Sequence, residues 1–310
     1  MSNSAQHKFS LIPEVTYGVT PPTTPAFKIK PITGTNLALT KGKIESETIR
    51  PDRQVEDVRG GNRQVGGDIT IELSYGNFDD MLEAVLCGTW SISESVWPGT
   101  VRRSFSMLRQ FTDLTGGGVI YPFQLYKGCE LNTFNLSIAP EAMVKATFGI
   151  VGREMILSNT APTGATYIDP IGANKPFDSF TGTITVDGVE VASVSELSLT
   201  LDNGIEPRFV VFDDKTRPTK IGRTRVTGQL TAYFENSELL LAFNGGVHKN
   251  LGFGLTDLLG NTYDFELPNI VVDGGQTDVS GESDITLPIP FSAIYDSALT
   301  FGFRIIRTDA

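Results

Sequence analysis

The chain has 310 residues, with 36 Asp and Glu against 25 Lys and Arg, so its formal net charge is −11. This acidic balance argues against a groove that grips DNA or RNA and against a basic membrane-binding face, because both need Lys and Arg. Cys87 and Cys129 are too few for a disulfide framework or a zinc cluster, and no apolar run reaches the roughly 18 residues of a membrane-spanning helix.

Residues 1–30 are predicted to form an extended N-terminal arm. Pro21, Pro22 and Pro25 lie close together there, and proline fixes its own φ and favours an extended predecessor. An arm of this kind either stays disordered or docks on a neighbouring subunit. The first residues also lack the apolar segment of a secretory signal, so we expect synthesis in the cytoplasm.

Period-two alternation of apolar and polar residues predicts strands along most of the chain. Residues 68–75 are the clearest case, because four apolar side chains fall on one face, as in a half-buried strand. These side chains are Ile69, Ile71, Leu73 and Tyr75. Similar runs occur at residues 134–138, 183–186, 197–201 and 230–234. Asp187-Gly188 predicts a hairpin turn, because its two central positions need positive φ.

Helical spacing of apolar residues occurs in only two short segments, 77–86 and 236–243. In the first, Asn77 can cap the helix, and Gly88 is placed to end it. The second is followed by a pair of glycines that would end it in the same way.

The two predicted helices occupy equivalent places in a possible repeat. Each follows a strand, and each strand follows a long charged loop. The matching segments are 61–71 with 222–232 at an offset of 161, 36–40 with 196–200 at 160, and the helices at 158. We interpret the near-constant offset as an internal duplication with domains at residues 31–160 and 170–310. Chance resemblance between strand-rich segments is the alternative.

No group of residues in the sequence indicates catalysis. The HExxH, GxSxG and Walker A patterns are absent, and the two histidines, His7 and His248, are far apart in the sequence. The glycine-rich stretches 60–67 and 116–118 lack dinucleotide-binding spacing and are predicted to be flexible loops. The acidic segment 273–284 lacks EF-hand spacing. We therefore predict no enzyme activity, no cofactor and no metal site.

The two charged loops, residues 45–63 and 206–225, are the candidate functional segments. Compact domains seldom carry loops this long without a use, and mixed charge suits a salt-sensitive contact between identical subunits. Solvated hairpin tips are the alternative. The candidate contact residues are Arg50, Asp52, Arg53, Glu56, Asp57 and Arg59 in the first loop and Asp213, Asp214, Lys215 and Arg217 in the second.

Four segments, in this order, resemble the tail tube proteins of long-tailed, siphovirus-like bacteriophages. They are Glu-Val-Thr-Tyr-Gly-Val-Thr-Pro at 14–21, Glu-Thr-Ile-Arg-Pro-Asp-Arg-Gln at 47–54, the strand and turn at 66–76, and Thr-Phe-Gly-Ile-Val-Gly at 147–152. None of them is catalytic. The resemblance is looser in the second half, where Asp213-Asp214-Lys215-Thr216 replaces the Asp-Arg-Gln of the first loop.

The resemblance implies a mainly β protein with two tandem tail-tube-type β-sandwich domains, each with one short helix. Its subunits would close a ring through an inner β-barrel, and stacked rings would form the tube through which DNA is ejected. With an internal duplication, three chains would build a pseudo-hexameric ring, and a true hexamer is the alternative. The implied partners are copies of the chain, the tape measure protein and the tail terminator and distal tail proteins, with DNA in transient, non-specific passage.

Two other classes of protein remain possible at this point. A tandem β-sandwich adhesin or virion decoration protein shares the acidic, strand-rich profile. A carbohydrate-active enzyme could use Trp90, Trp97 and Tyr121 to line a sugar groove, although no convincing pair of carboxylates accompanies them. Neither class needs two matched loops.

Overall fold

A computed structural model describes residues 6–114, 120–191, 194–218, 220–233, 248–275 and 285–310. These residues form one helix, α1 (Asp79–Val85), and a mainly β, open, mixed sheet. The strands of the N-terminal half are β1 (His7–Pro13), β2 (Ala26–Ile29), β3 (Gly34–Thr35), β4 (Ala38–Glu45), β5 (Val58–Glu72), β6 (Ser95–Val96), β7 (Phe105–Phe111), β8 (Phe123–Ile138), β9 (Lys145–Gly152), β10 (Glu154–Ser158) and β11 (Thr166–Ile168). Those of the C-terminal half are β12 (Gly182–Val186), β13 (Val189–Glu190), β14 (Val194–Asp202), β15 (Arg208–Val210), β16 (Asp213–Arg217), β17 (Arg225–Tyr233), β18 (Lys249–Thr256), β19 (Thr262–Val272), β20 (Thr286–Ala293) and β21 (Arg304–Thr308).

A continuous row of antiparallel strands runs through both halves. Its order is β4–β5–β9–β8–β14–β17–β20–β19–β18. The long strand β8 connects two parts of the sheet, since its first half pairs with β7 and β10 and its second half with β9 and β14. The N-terminal half therefore has the order β4–β5–β9–β8–β7, and the C-terminal half has the order β14–β17–β20–β19–β18.

The pairing registers of the two halves correspond closely. Leu39 of β4 pairs with Val65 of β5, and Leu201 of β14 pairs with Val226 of β17. Leu201 lies 162 residues after Leu39, and Val226 lies 161 residues after Val65. Residues 36–40 therefore align structurally at 162 and not at the predicted 160. A difference of two leaves the same side chains facing the core.

The core extends through both halves without a break. Ile69, Ile71 and Leu73 are fully buried, which confirms the one-sided pattern predicted for residues 68–75. Aromatic pairs lie between neighbouring strands, with ring centroids 5.2 Å apart for Phe134–Phe148 and 4.6 Å apart for Phe253–Phe265. The predicted Asp187-Gly188 turn is also confirmed, with φ of 52° and 77° in the connection from β12 to β13.

The observed helix is shorter than the predicted 77–86, and Asn77 does not cap it. The N-cap position is Phe78, which makes no side-chain capping bond. The Asn77 side chain instead donates to Ser74 Oγ at 2.9 Å and accepts from the Ile171 N–H at 2.7 Å. It therefore joins two loops rather than capping α1. The predicted helix at 236–243 lies outside the described residues.

The glycine-rich stretch 60–67 is part of β5, so the prediction of a flexible loop was wrong. Gly67 has a φ of +138°, and a Cβ there would lie 2.7 Å from Asn36 Oδ1 and 2.8 Å from Leu37 Cα. Glycine is used because two backbones approach each other closely, not because the chain must bend freely. Residues 116–118 lie outside the described residues.

Residues 6–30 do not form an arm that leaves the chain. β1 pairs with β7 along its whole length, and β2 pairs with β1 and β11. Phe9, Leu11 and Phe27 are buried. Burial of these side chains favours docking on the chain's own sheet, while Pro21 and Pro22 lie in the connection between the two strands. The prolines indicated extended backbone but not where it would pack.

Candidate assembly surfaces

One edge of the strand row is open. β4 pairs with β5 from Ala38↔Gly66 to Glu45↔Val58, and no other strand of the described residues pairs with it. Most of its residues are exposed. An open edge of this length presents a row of unpaired backbone N–H and C=O groups, which is a template for another strand.

The equivalent strand of the C-terminal half is covered. β14 pairs with β17 on one edge and with β8 on the other, from Leu197↔Ile138 to Asp202↔Thr133. The Thr200 hydroxyl also donates to Asn135 Oδ1 at 2.8 Å. β14 corresponds to β4 in strand order, and its second edge is paired with β8, the long strand of the N-terminal half. This pairing inside the chain therefore shows which kind of strand an edge like that of β4 accepts.

A second open edge lies at the end of β19. The Asp273 N–H donates to the Pro290 carbonyl at 2.9 Å, so Asp273 lies beside β20. In the N-terminal half, Thr133 of β8 lies beside Gly149 of β9 in the corresponding way. Pairing between β18 and β19 stops at Lys249↔Ile270 within the described part of the chain. The end of β19 thus resembles the end of β8, but no strand among the described residues covers it.

The first charged loop spans residues 46–57, because 58–63 belong to β5. Its charges pair within the loop or with the adjoining strand. Arg50 lies 2.9 Å from Asp52 and 3.9 Å from Glu56, and Arg59 lies 2.9 Å from Asp57. The Arg50 hydrogen bonds lower the pKa of the Asp52 carboxyl. Exposed pairs of this kind contribute little to stability. Arg53 adopts a positive φ of 59° in the turn.

The second charged loop contains the β15–β16 hairpin, which contacts the N-terminal half. Asp214 lies 2.7 Å from Arg63 of β5, and Lys215 pairs with Glu154 of β10. Thr216 is fully buried beside Arg63. The fourth predicted residue, Arg217, pairs with Asp213 inside the hairpin at 2.8 Å. The charges of this loop therefore tie the two halves of one chain together.

Sequence reasoning missed the apolar residues at these loops. Ile49 is 95% exposed, Val211 is 79% exposed and Phe212 is fully exposed. The available signal was the run Phe209-Val210-Val211-Phe212 between charged residues. It was overlooked because charge alone was used to judge these loops.

A cleft of about 410 Å³ lies beside α1, and ion pairs across it join Lys28 and Lys30 to Asp80 and Arg307 to Asp79. Lys30 is buried and lies 2.7 Å from Asp80; burial lowers the pKa of the Lys30 ammonium. Trp90 donates from its ring nitrogen to the Asp79 carbonyl at 3.2 Å, and the Arg307 guanidinium lies 4.6 Å from its ring centroid. Trp90 therefore lines the cleft with its ring nitrogen and one ring face already engaged by the chain's own residues.

The described residues contain no group of three or more His, Cys, Asp or Glu side chains arranged to hold a metal ion. Among these same residues, no helix has the length and apolar character needed to cross a membrane.

Open strand edges and long surface loops are features through which a chain can contact other subunits. Comparison with protein families gives the family: residues 4–293 match the model described as phage tail tube protein, so the chain belongs to that family. It is a structural component of the virion tail and a subunit of a multimeric tube. Comparison with curated proteins gave no match.

Proposed function

We propose that three copies of the chain close a pseudo-hexameric ring, and that stacked rings form the tube through which phage DNA is ejected into the host. The observation that carries this proposal is the β8–β14 pairing inside the chain. It joins two halves of the same strand order, and within the described residues the edge of β4 and the edge at the end of β19 have no strand partner. Repeating this pairing between chains would close a ring and remove every edge.

The proposal includes an internal duplication, with tail-tube domains at residues 31–160 and 170–310. The identical strand orders and the near-identical register shifts of 162 and 161 support it. The next strand of each half keeps one register throughout: β9 pairs with β5 from Val65↔Gly152 to Glu72↔Lys145, and β20 pairs with β17 from Val226↔Ala293 to Tyr233↔Thr286. The shift between β9 and β20 is 141 residues at both ends of this pairing. Two unrelated domains would not be expected to share one strand order in one register.

The β8–β14 pairing predicts the register of the contact between chains. Asp202 faces Thr133 inside the chain. Thr40 takes the place of Asp202, because it pairs with Gln64 as Asp202 pairs with Arg225. Asp273 takes the place of Thr133. Thr40 of one chain should therefore face Asp273 of the next.

The charge of the chain is consistent with a conduit for DNA. Phosphates bind to Lys and Arg, so a passage that must release DNA should not be basic. Three chains of −11 would give a ring of −33. We infer a neutral or negative bore and, from the family resemblance, contacts with a tape measure protein and with terminator and distal tail proteins at the tube ends. A long-tailed phage and synthesis in the host cytoplasm belong to the same proposal.

The test combines electron microscopy of the purified protein with cross-linking between chains. A Thr40→Cys, Asp273→Cys double variant should form rings, and a short bis-thiol cross-linker should give a ladder that ends at a closed trimer. Neighbouring side chains of a strand point to opposite faces. Lys41→Cys with Asp273→Cys is therefore the matched control and should cross-link poorly. A ladder that continues to six chains would replace the trimer with a hexamer, and purified protein that forms neither rings nor tubes would contradict the proposal.

A further inference from the structure

Both long loops leave the sheet at the same end. Four antiparallel pairings separate β4 from β14, so the two strands run in the same direction toward their loops. The β15–β16 hairpin extends the same way. Lys215 pairs with Arg63 in parallel orientation. The hairpin turn at residues 211–212 consequently lies toward Val58, where β5 begins.

The charged residues of these loops are already largely paired inside the chain, whereas the apolar residues at their tips are not buried. The hairpin is anchored by Asp214, Lys215 and the buried Thr216. Phe212 stands beyond this anchor, fully exposed and with a positive φ of 69°. Val210 and Val211 beside it are also exposed, and contiguous exposed apolar surface is typical of a contact site, whereas a single exposed apolar residue is not.

The opposite end of the sheet also exposes apolar side chains. The turn at residues 139–144 joins β8 to β9 there, and it contains Met143, which is 47% exposed. Met143 forms a bridge with Asp178, and the Ser179 N–H donates to the Ala142 carbonyl at 3.2 Å. These contacts bring Phe180, which is 75% exposed, to the same end.

We propose that Ile49, Val211 and Phe212 of one copy contact the surface around Met143 and Phe180 of a second copy in the next ring, and that apolar burial rather than charge pairing holds the rings together. The inference rests on the proposed function, because a head-to-tail stack of identical rings requires its two ends to be complementary. The second copy is the occupant that fits, since the chain carries the apolar tips and the apolar patch at opposite ends.

The first test compares single substitutions in each end. Phe212→Ser and Phe180→Ser should each leave ring formation intact and lower the mass of sedimenting tubes by about tenfold or more, because each removes one buried apolar group per contact. Ile92→Ser is the matched control, since Ile92 is fully exposed but belongs to the connection between α1 and β6 and not to the segments named here. Tubes from Ile92→Ser should sediment as those of the wild-type protein do.

The second test is the dependence on salt. The Debye length falls from about 10 Å at 0.1 M to about 3 Å at 1 M, so charge contacts weaken in NaCl while apolar contacts do not. Wild-type tubes should survive 1 M NaCl. Tubes that dissociate into rings at 1 M NaCl would overturn the inference in favour of the charged residues.

The two proposals fail in different ways. Wild-type protein that makes no rings contradicts the proposed function. Wild-type tubes together with normal tubes from Phe212→Ser and Phe180→Ser would overturn only the apolar contact. An equal loss in Ile92→Ser would also overturn it, because the effect would then not be specific to the two ends.

Discussion

Gly228 of β17 occupies the position that Gly67 occupies in β5. A Cβ on Gly67 would lie 2.9 Å from the Asn36 carbonyl oxygen, and a Cβ on Gly228 would lie 2.5 Å from the Ser198 carbonyl oxygen. Asn36, just before β4, and Ser198 of β14 are themselves equivalent, since they are 162 residues apart, which is the shift that relates β4 to β14. At this point in each half, two strands approach so closely that a side chain does not fit.

The first prediction concerns this close approach. Gly67→Ala should lower the free energy of unfolding by about 2 kcal/mol or more, because a side chain at positive φ is strained and its Cβ overlaps backbone atoms that cannot easily move. Gly66→Ala is the matched control, as its nearest atom would lie 3.9 Å away. Urea unfolding of the two variants should separate them clearly, and equal losses would show that the approach of the strands can relax.

The second prediction concerns Glu14, whose carboxylate accepts four hydrogen bonds. Gly128 N–H and Ser106 Oγ donate to one oxygen at 2.9 and 2.7 Å, and Gly18 N–H and Ser104 Oγ donate to the other at 2.7 Å each. Glu14→Ala should lower the free energy of unfolding by about 3 kcal/mol, because four partly buried donors lose their acceptor.

Val15→Ala is the control for Glu14, because the neighbouring Val15 side chain is almost fully exposed. It should change the free energy of unfolding by no more than about 0.5 kcal/mol. A small effect of Glu14→Ala in urea unfolding would mean that water replaces the carboxylate at this turn. A stabilising role of Glu14 would then not explain why residues 14–21 resemble the tail tube proteins.

The third prediction concerns pH. Burial, with a further effect of the neighbouring Arg109, lowers the pKa of His7 from its usual 6.5. The folded state therefore holds His7 neutral, and its stability contribution is present above pH 6.5 and is lost as the pH falls through that value toward the folded-state pKa. His7→Gln should lose less melting temperature between pH 7.5 and pH 5.5 than the wild-type protein. Identical losses in both proteins would exclude His7 as the group responsible.

The fourth prediction concerns Arg307, which joins β21 to the N-terminal half. Its guanidinium pairs with Asp79 and Glu94 and lies over the Trp90 ring. Arg307→Ala should lower the free energy of unfolding by about 3 kcal/mol, since it leaves a partly buried carboxylate unpaired. Arg59→Ala removes only an exposed pair and should cost about 0.5 kcal/mol or less. Similar losses in thermal unfolding of the two variants would contradict this role.

Several local features were predictable from the sequence. Period two placed Ile69 and Ile71 on the buried face of β5 and predicted the burial of Leu73 just after it, and Asp187-Gly188 marked a turn. Both follow from the geometry of a few consecutive residues, which the sequence states directly. The family was predicted in a different way, by the resemblance of four segments to tail tube proteins, and the comparison with protein families confirmed it.

The candidate surfaces were only partly predictable. The sequence placed charge in both long loops, but it could not tell that Lys215 meets Glu154 or that Asp214 meets Arg63 within the chain. An ion pair between residues that are distant in sequence depends on how the sheet brings them together. Judged by charge alone, the loops therefore looked like contact surfaces, and the exposed Phe212 was missed.

By itself, the sequence determined that the protein is rich in strands, acidic and a member of the tail tube family. Only the tertiary structure decided that residues 6–30 pair with the chain's own sheet and that Gly67 lies inside a strand. It also decided that β14 covers β8 while no strand of the described residues covers β4. The physical reason is the range of the interactions. Side-chain alternation and turn preference act between neighbours in sequence, whereas strand pairing and ion pairing depend on which distant segments bury their apolar faces together.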